Sequence, residues 1–269
     1  MEPFFLAGGQ GVLFAIYHPP AAGTLKRGGV LYAPPFAEEM NKSRRMAALQ
    51  ARRLAAAGFG VLMPDLYGTG DSSGDFCDAR WEVWREDLAR CAEWLRQQGH
   101  ASLTLWGLRL GGLLAAELAG EGAATRLLLW QPALSGQRLL QQFLRLQLTA
   151  DRLKGGGETQ ARLQEALAAG QSLEVAGYEL HPELALALEY ARLTRPPSGV
   201  RVDWLELTGA ADSSSLSPGS RRVVEEWRSA GVTVHGRTVV GDSFWATQEI
   251  AEAPTLLDAT LAVLLDETA

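Results

Sequence analysis

Short apolar runs recur along the first half of the chain: Val30 to Tyr32, FGVLMPD from Phe59, SLTLWG from Ser102 and TRLLLWQP from Thr125. Each is too short for a helix and is bounded by glycine or proline, which predicts buried strands. Between them the period changes. From Lys42 to Ala57, Met46, Leu49, Arg53 and Leu54 fall at helical spacing before Gly58, and from Trp81 to Gln98, Trp84, Leu88, Cys91 and Leu95 do the same. A third helical run, Leu110 to Ala119, follows its strand almost directly, and a hairpin is expected where Phe4 to Leu6 and Val12 to Tyr17 flank a glycine turn. Apolar strands alternating with amphipathic helices predict an α/β fold, a mostly parallel twisted sheet flanked by helices.

The rhythm breaks after Pro132. Helix-like runs at Arg138 to Leu148 and Thr159 to Ala169 are joined by Lys154 to Glu158, KGGGE. The strand-like SLEVAGYEL and a helix from Glu183 to Leu193 follow, and the segment ends at Arg195, Pro196, Pro197, Ser198 and Gly199. We read residues 133–199 as a small, mainly helical cap or lid inserted into a core formed by 1–132 and 200–269. An independent second domain stays open as a reading, with a thin core for its length. The sheet pattern resumes with VDWLELTG, a helix near Ser220 to Ala230, a strand from Val232 to Val240 and a closing helix through Leu265.

Composition removes several classes of function. The 269 residues carry a formal charge of -6, which argues against a nucleic-acid-binding surface. The two cysteines, Cys77 and Cys91, are too few for a disulfide scaffold or a thiolate metal centre and make a reducing compartment the default. No His or Cys pair has metal-ligand spacing. No motif calls for a cofactor: the glycine-dense LYGTGDSSGDF lacks the Gly-Lys-Ser/Thr of a phosphate loop. MEPFFLAGG has no secretory pattern, and Leu110 to Ala119 falls short of the roughly 20 residues of a membrane span. A cytoplasmic protein without an integral membrane segment is expected. Homo-oligomerisation is left open.

LTLWGLRLGGLLAA, from Leu103, reads strand, Gly107, x, Arg109, x, Gly111, helix. Small residues two before and two after a central position permit a tight strand-to-helix turn that lifts the central side chain above the sheet. This resembles the nucleophile elbow of α/β-hydrolases. Pro64 to Gly74 resembles a loop upstream of that elbow. The segment from Thr208 to Ser214 resembles the one that supplies the acid, with Asp212 in that role, and Val239 to Ile250 the one that supplies the histidine. The order of elbow, acid and histidine segments fits that fold. YAPPFAEEMNKSRRMAALQARRLAAAGF from Tyr32, with GYEL-x-PEL from Gly177, resembles the hydrolase-2 family associated with the exosortase A system. That resemblance spans essentially the whole chain. It implies a bacterial protein encoded beside exopolysaccharide genes and the PEP-CTERM sorting machinery, and it implies no particular substrate.

Ser-His-Asp chemistry needs a nucleophile and an imidazole. The elbow carries Arg109, and a guanidinium is cationic with no lone pair suited to attack. The expected imidazole position falls on Asp242, Ser243 or Phe244. Only four histidines exist: His18, His100, His181 and His235. Only His181, in the insert, is placed to reach over the site.

Three readings of Arg109 follow. It plugs the pocket through an ion pair with Asp212, Glu38 or Glu39. It receives an anionic or acyl ligand, with the Leu110 and Phe36 or Ala37 amides as an oxyanion pair. Or it stabilises an anionic transition state while Glu38 or Asp212 acts as base on an ester or thioester. Ser43, Ser72, Ser73 and Ser243 are displaced serines without an evident base. Glu38, Glu39 and Asn41 also suit the cap of a helix starting near Lys42. Trp81, Trp84, Trp106, Trp130 and Trp245 lie near strand ends, where some could line a pocket, and the insert's Leu139, Leu140, Phe143, Leu144, Leu146 and Leu148 form a stripe that packs on the core or roofs a ligand.

Overall fold

The computed structural model describes residues 1–209 and 215–266. Eight strands form one twisted sheet in the order β1-β2-β4-β3-β5-β6-β9-β10. The hairpin β1 (Glu2–Ala7) and β2 (Val12–His18) lies at one edge, and β2 pairs antiparallel with β4 (Phe59–Pro64). From β4 onward all pairs are parallel, through β3 (Gly28–Ala33), β5 (Leu103–Leu108), β6 (Arg126–Trp130), β9 (Arg201–Thr208) and β10 (Val234–Val240). The strands in the middle of the sheet are buried on both faces, as parallel strands under helices must be.

One face is covered by α2 (Trp81–Gln97), α3 (Leu110–Gly120) and α7 (Pro218–Ser229), the other by α1 (Glu38–Ala56) and α8 (Pro254–Leu265). The sheet is thereby the wall between two apolar layers. Trp204 stacks edge-on to Trp227 in the first, and Trp106 to Trp130 in the second. Among the described residues no helix is long and apolar enough to cross a membrane.

The helical insert separates β6 from β9. It contains α4 (Gly136–Leu153), α5 (Gln160–Ala168), the two-stranded hairpin β7 (Leu173–Val175) and β8 (Tyr178–Leu180), and α6 (Pro182–Tyr190). Its two ends are clasped by an isolated bridge between Ser135 and Arg192, with the Gly136 amide donating to the Ala191 carbonyl and Leu193 to Leu134. The buried residues of α4, Leu139, Leu140, Phe143 and Leu144, lie three to four apart and fix its inner face.

Chain order reverses between β3 and β5: from β3 the chain goes to β4 on one side and then crosses to β5 on the other. In open α/β sheets the loops leaving the carboxyl ends of strands diverge at such a point and leave a crevice. The loop after β3 carries Phe36 to Glu39, and the turn after β5 carries Arg109.

Candidate functional site

Arg109 has φ 54 and ψ -113, a left-handed conformation, and caps α3. Its flanking glycines explain how the chain tolerates this. A Cβ on Gly107 would lie 2.5 Å from the Gly111 carbonyl oxygen and from Cα of Gly112, and one on Gly111 would overlap the Ala33 carbonyl oxygen at the end of β3. The backbone is therefore that of a nucleophile elbow. Ala37, which caps α1, adopts nearly the same conformation, φ 47 and ψ -120. Two matching strained turns face each other across the switch point.

Residue 37 as the cap moves the start of α1 to Glu38, earlier than the Lys42 expected from periodicity. Glu38 and Glu39 thus occupy the helix's first turn, and neither caps it from outside. Glu39 points across the crevice. Its carboxylate accepts from Arg109 Nε at 3.1 Å and lies 3.1 Å from Nη2, with both side chains largely buried. Arg109 Nη2 also donates to Gln142 Oε1 of α4 at 3.0 Å, and its guanidinium lies 5.5 Å from the Trp245 ring centroid. A cation over an indole face gains from the ring quadrupole, so the arginine is held from three directions. Nη1 has no partner among the described residues.

A cavity of about 350 Å³ opens beside this cluster. Glu38, Glu39, Lys42 and Arg109 supply its charged groups, and Phe36, Leu139, Phe143, Leu146 and Trp245 its apolar wall. Burial lifts the Glu39 carboxyl to about 7 even against the pull of Arg109. Glu38 is also raised, chiefly by burial, and its Oε2 is buried without a partner. On its other side Arg109 borders a smaller cavity of about 160 Å³ with Gln131, Arg138 and Glu206.

Of the residues singled out from sequence, Arg109, Glu38, Glu39, Phe36 and Trp245 meet around the larger cavity. Ala37 and Leu110 are buried behind it, in the two turns. Asp212 lies outside the described residues. Ser43 donates to the Glu39 carbonyl one turn back within α1, while Ser72 bonds the Asp65 carbonyl and the Phe14 amide and Ser73 accepts from Val12, so these last two hydroxyls tie the loop after β4 to β2. At the imidazole position, Phe244 is in the core against Trp130, while Asp242 and Ser243 are exposed.

No histidine lines the cavity. His181 Nδ1 accepts from the Glu183 amide and so caps α6. His235 stands 3.6 Å from Asp203 at the amino end of β10, away from the elbow. His100 pairs with the Tyr17 hydroxyl before β5 begins, and His18 ends β2. Trp84, Trp106 and Trp130 belong to the core, Trp81 donates to Glu117 on the far side of α3, and Trp245 alone of the five tryptophans borders the cavity.

Gln142 was not foreseen. A clue was available: it sits three after Leu139 and four before Leu146, a polar residue within the apolar stripe of α4. The Leu-rich face both packs and roofs, because Leu139 and Phe143 are buried in the core and also border the cavity.

The fold is shared with solved structures of low sequence identity. Est1E from Butyrivibrio proteoclasticus, solved with ferulic acid bound, superposes with a TM-score of 0.69 at 15% identity, covering 98% of each chain. XC6422 from Xanthomonas campestris, described as an α/β serine hydrolase without a lid, gives 0.59 at 15% identity over 100% of this chain and 96% of that one. A putative hydrolase from Agrobacterium vitis gives 0.62 at 18% identity over 98% of both. No curated protein sequence matches significantly. The sequence profile of the serine aminopeptidase S33 family matches residues 30–235, a span running from β3 through the elbow and insert into β10. This chain belongs to the serine aminopeptidase S33 family of α/β-hydrolases.

Proposed function

We propose that this protein is a non-catalytic binding member of its family, which holds an anionic ligand with an apolar body, an acyl carboxylate, in the cavity beside Arg109. The observation that carries this reading is the elbow itself: the backbone that presents a nucleophile in the fold presents a guanidinium here, at the mouth of a 350 Å³ cavity. Arg109 Nη1 and Lys42 supply positive charge, while Phe143, Leu146 and Trp245 offer a surface for a chain or ring. A ligand carboxylate would form the paired, charge-assisted hydrogen bonds for which arginine is suited. It would take over the contact now made by Glu39, whose carboxyl can accept a proton near neutrality. Ferulic acid, held by Est1E, is itself an aromatic carboxylic acid.

The Tyr32 to Phe59 and Gly177 to Leu184 segments support membership of the exosortase A-associated group. The accompanying role is accessory work in exopolysaccharide export and PEP-CTERM protein sorting, carried out in the cytoplasm. Residues 133–199 act in this reading as the cap that supplies Gln142 and the apolar roof. Loss of the gene should then alter exported polysaccharide or sorted surface protein, and complementation with Arg109→Met should fail.

The direct test is calorimetric titration of octanoate and ferulate into the wild type and Arg109→Met, with turnover of acyl esters and thioesters assayed alongside. Saturable binding that Arg109→Met weakens at least about tenfold, the loss of one charge-assisted pair, is the expected result. Unchanged affinity in the variant would refute it.

One observation favours a second reading. A carboxyl titrating near 7 beside a buried arginine is also the form of a general base, which makes Glu39 or Glu38 the base of an atypical ester or thioester hydrolase or acyltransferase. Turnover abolished by Glu39→Gln would select it.

A further inference from the structure

A second cavity, on the α1 side of the sheet, has no part in the reading above. By register, Ile16 on β2, Met63 on β4 and Tyr32 on β3 stand at one level of the sheet, facing α1. His18 lies one step toward the opposite end of the same face. Above them α1 passes with Met40, Arg44, Ala47 and Ala48. Two consecutive alanines leave a gap that larger side chains would have closed, and the result is an apolar cavity of about 160 Å³.

Its polar groups are few and specific. Arg44 and Asp65 lie 3.1 Å apart, and Asp65 also accepts from the Asp71 amide, so the charges on this wall answer each other. Tyr32 and His18 are only 5% and 4% exposed. Both border the cavity, and neither ring's polar atoms have a hydrogen-bond partner among the described residues. Their polar atoms therefore face the cavity and are open to an occupant. Burial, followed by the N-terminal amine and Arg52, holds the His18 imidazole below its usual titration range, and burial raises the Tyr32 phenol. Both are therefore neutral and offer hydrogen bonds without charge.

We infer that this cavity is a second ligand site, for a small neutral ring compound bearing one hydroxyl, of which phenol is the simplest. The size fits: a cavity of about 150 Å³ accommodates benzene. The apolar lining takes the ring, and the Tyr32 hydroxyl and His18 imidazole take the hydroxyl.

The methionines supply the test. The chain has four, of which Met1, Met40 and Met63 border this cavity, while Met46 is packed in the core with its sulfur at the Ala253 amide. With 13C-methyl methionine, titration with phenol should shift the Met40 and Met63 resonances in a saturable way and leave Met46 in place. Ala48→Leu, which fills the gap from a half-buried helix position, should abolish the shifts. Tyr32→Phe should weaken phenol about five- to tenfold, the worth of one hydrogen bond. Arg109→Met should leave phenol affinity unchanged, which separates this site from the proposed carboxylate site. No saturable shift at millimolar phenol, movement of Met46 together with the others, or insensitivity to Ala48→Leu would overturn the inference.

Discussion

At position 39 a carboxylate is asked to serve two opposed demands. Arg109 favours its charged form, burial opposes it, and burial prevails, lifting the group from an ordinary carboxyl to about 7. A carboxyl whose titration is raised on folding makes the native state relatively most stable where it is protonated. That contribution is complete below the unfolded value and is lost as pH rises through the folded one. The folded protein should therefore lose stability between about pH 4.5 and pH 7, on the order of 3 kcal/mol for a shift of this size. Glu39→Gln should match the wild type near pH 4.5 and become the more stable protein by pH 8, as read by thermal unfolding across that range. Parallel pH profiles for the two proteins would mean that Glu39 titrates normally. Had the arginine prevailed, the slope would have the opposite sign.

At the scale of elements, the junction of β5 with α3 depends on absent side chains more than on present ones. Gly111 lets α3 start against the Ala33 carbonyl, so Gly111→Ala must displace backbone, and a loss of about 3 kcal/mol or failure to fold is expected in urea unfolding. The insert is held differently. Its ion pair from Glu183 to Arg80 is solvent-exposed on the glutamate side, whereas Phe143 packs edge-on against Phe36 at 5.0 Å and is buried. Glu183→Ala should change stability by less than about 1 kcal/mol, while Phe143→Ala should cost about 3 to 5 kcal/mol, both read from the same urea titration. This hierarchy was partly written in the chain. The stripe of α4 and the glycines of the elbow follow from period and spacing, which is why they could be read. The early start of α1 could not, because it hangs on Ala37 in a left-handed turn, and alanine carries no preference for that conformation. Apolar period likewise marks Trp106 and Trp245 as equally hydrophobic. Only the tertiary fold assigns one, on central β5, to the core and the other, in the loop after β10, to the cavity wall.

For the molecule as a whole, the order of strands, the switch point and the elbow are those of the α/β-hydrolase fold, and the residue at the elbow is an arginine. Two features were legible in the sequence, Arg109 at the elbow and no histidine in the segment after β10. The structure adds that Trp245 now meets the elbow residue from that segment. Restoring the nucleophile alone should accordingly achieve nothing: Arg109→Ser should hydrolyse p-nitrophenyl acetate at the buffer rate, since no imidazole borders the cavity to take the proton. A rate above buffer would reveal a base supplied from elsewhere, Glu38 or Glu39 being the nearest.

The strained turn at residue 109 holds an arginine in this chain. It is a backbone mounting: whatever side chain is attached there is aimed at the same point, at the amino end of α3, between two cavities. A thiol mounted by Arg109→Cys would have no competition from Cys91, which is buried with its thiol pushed up, and Cys77→Ser would remove the half-exposed second thiol. Helix N-termini favour the thiolate. With Cys77 replaced, the scaffold offers one addressable attachment point, where a probe, a metal chelate or a new catalytic group could be fixed by a single alkylation.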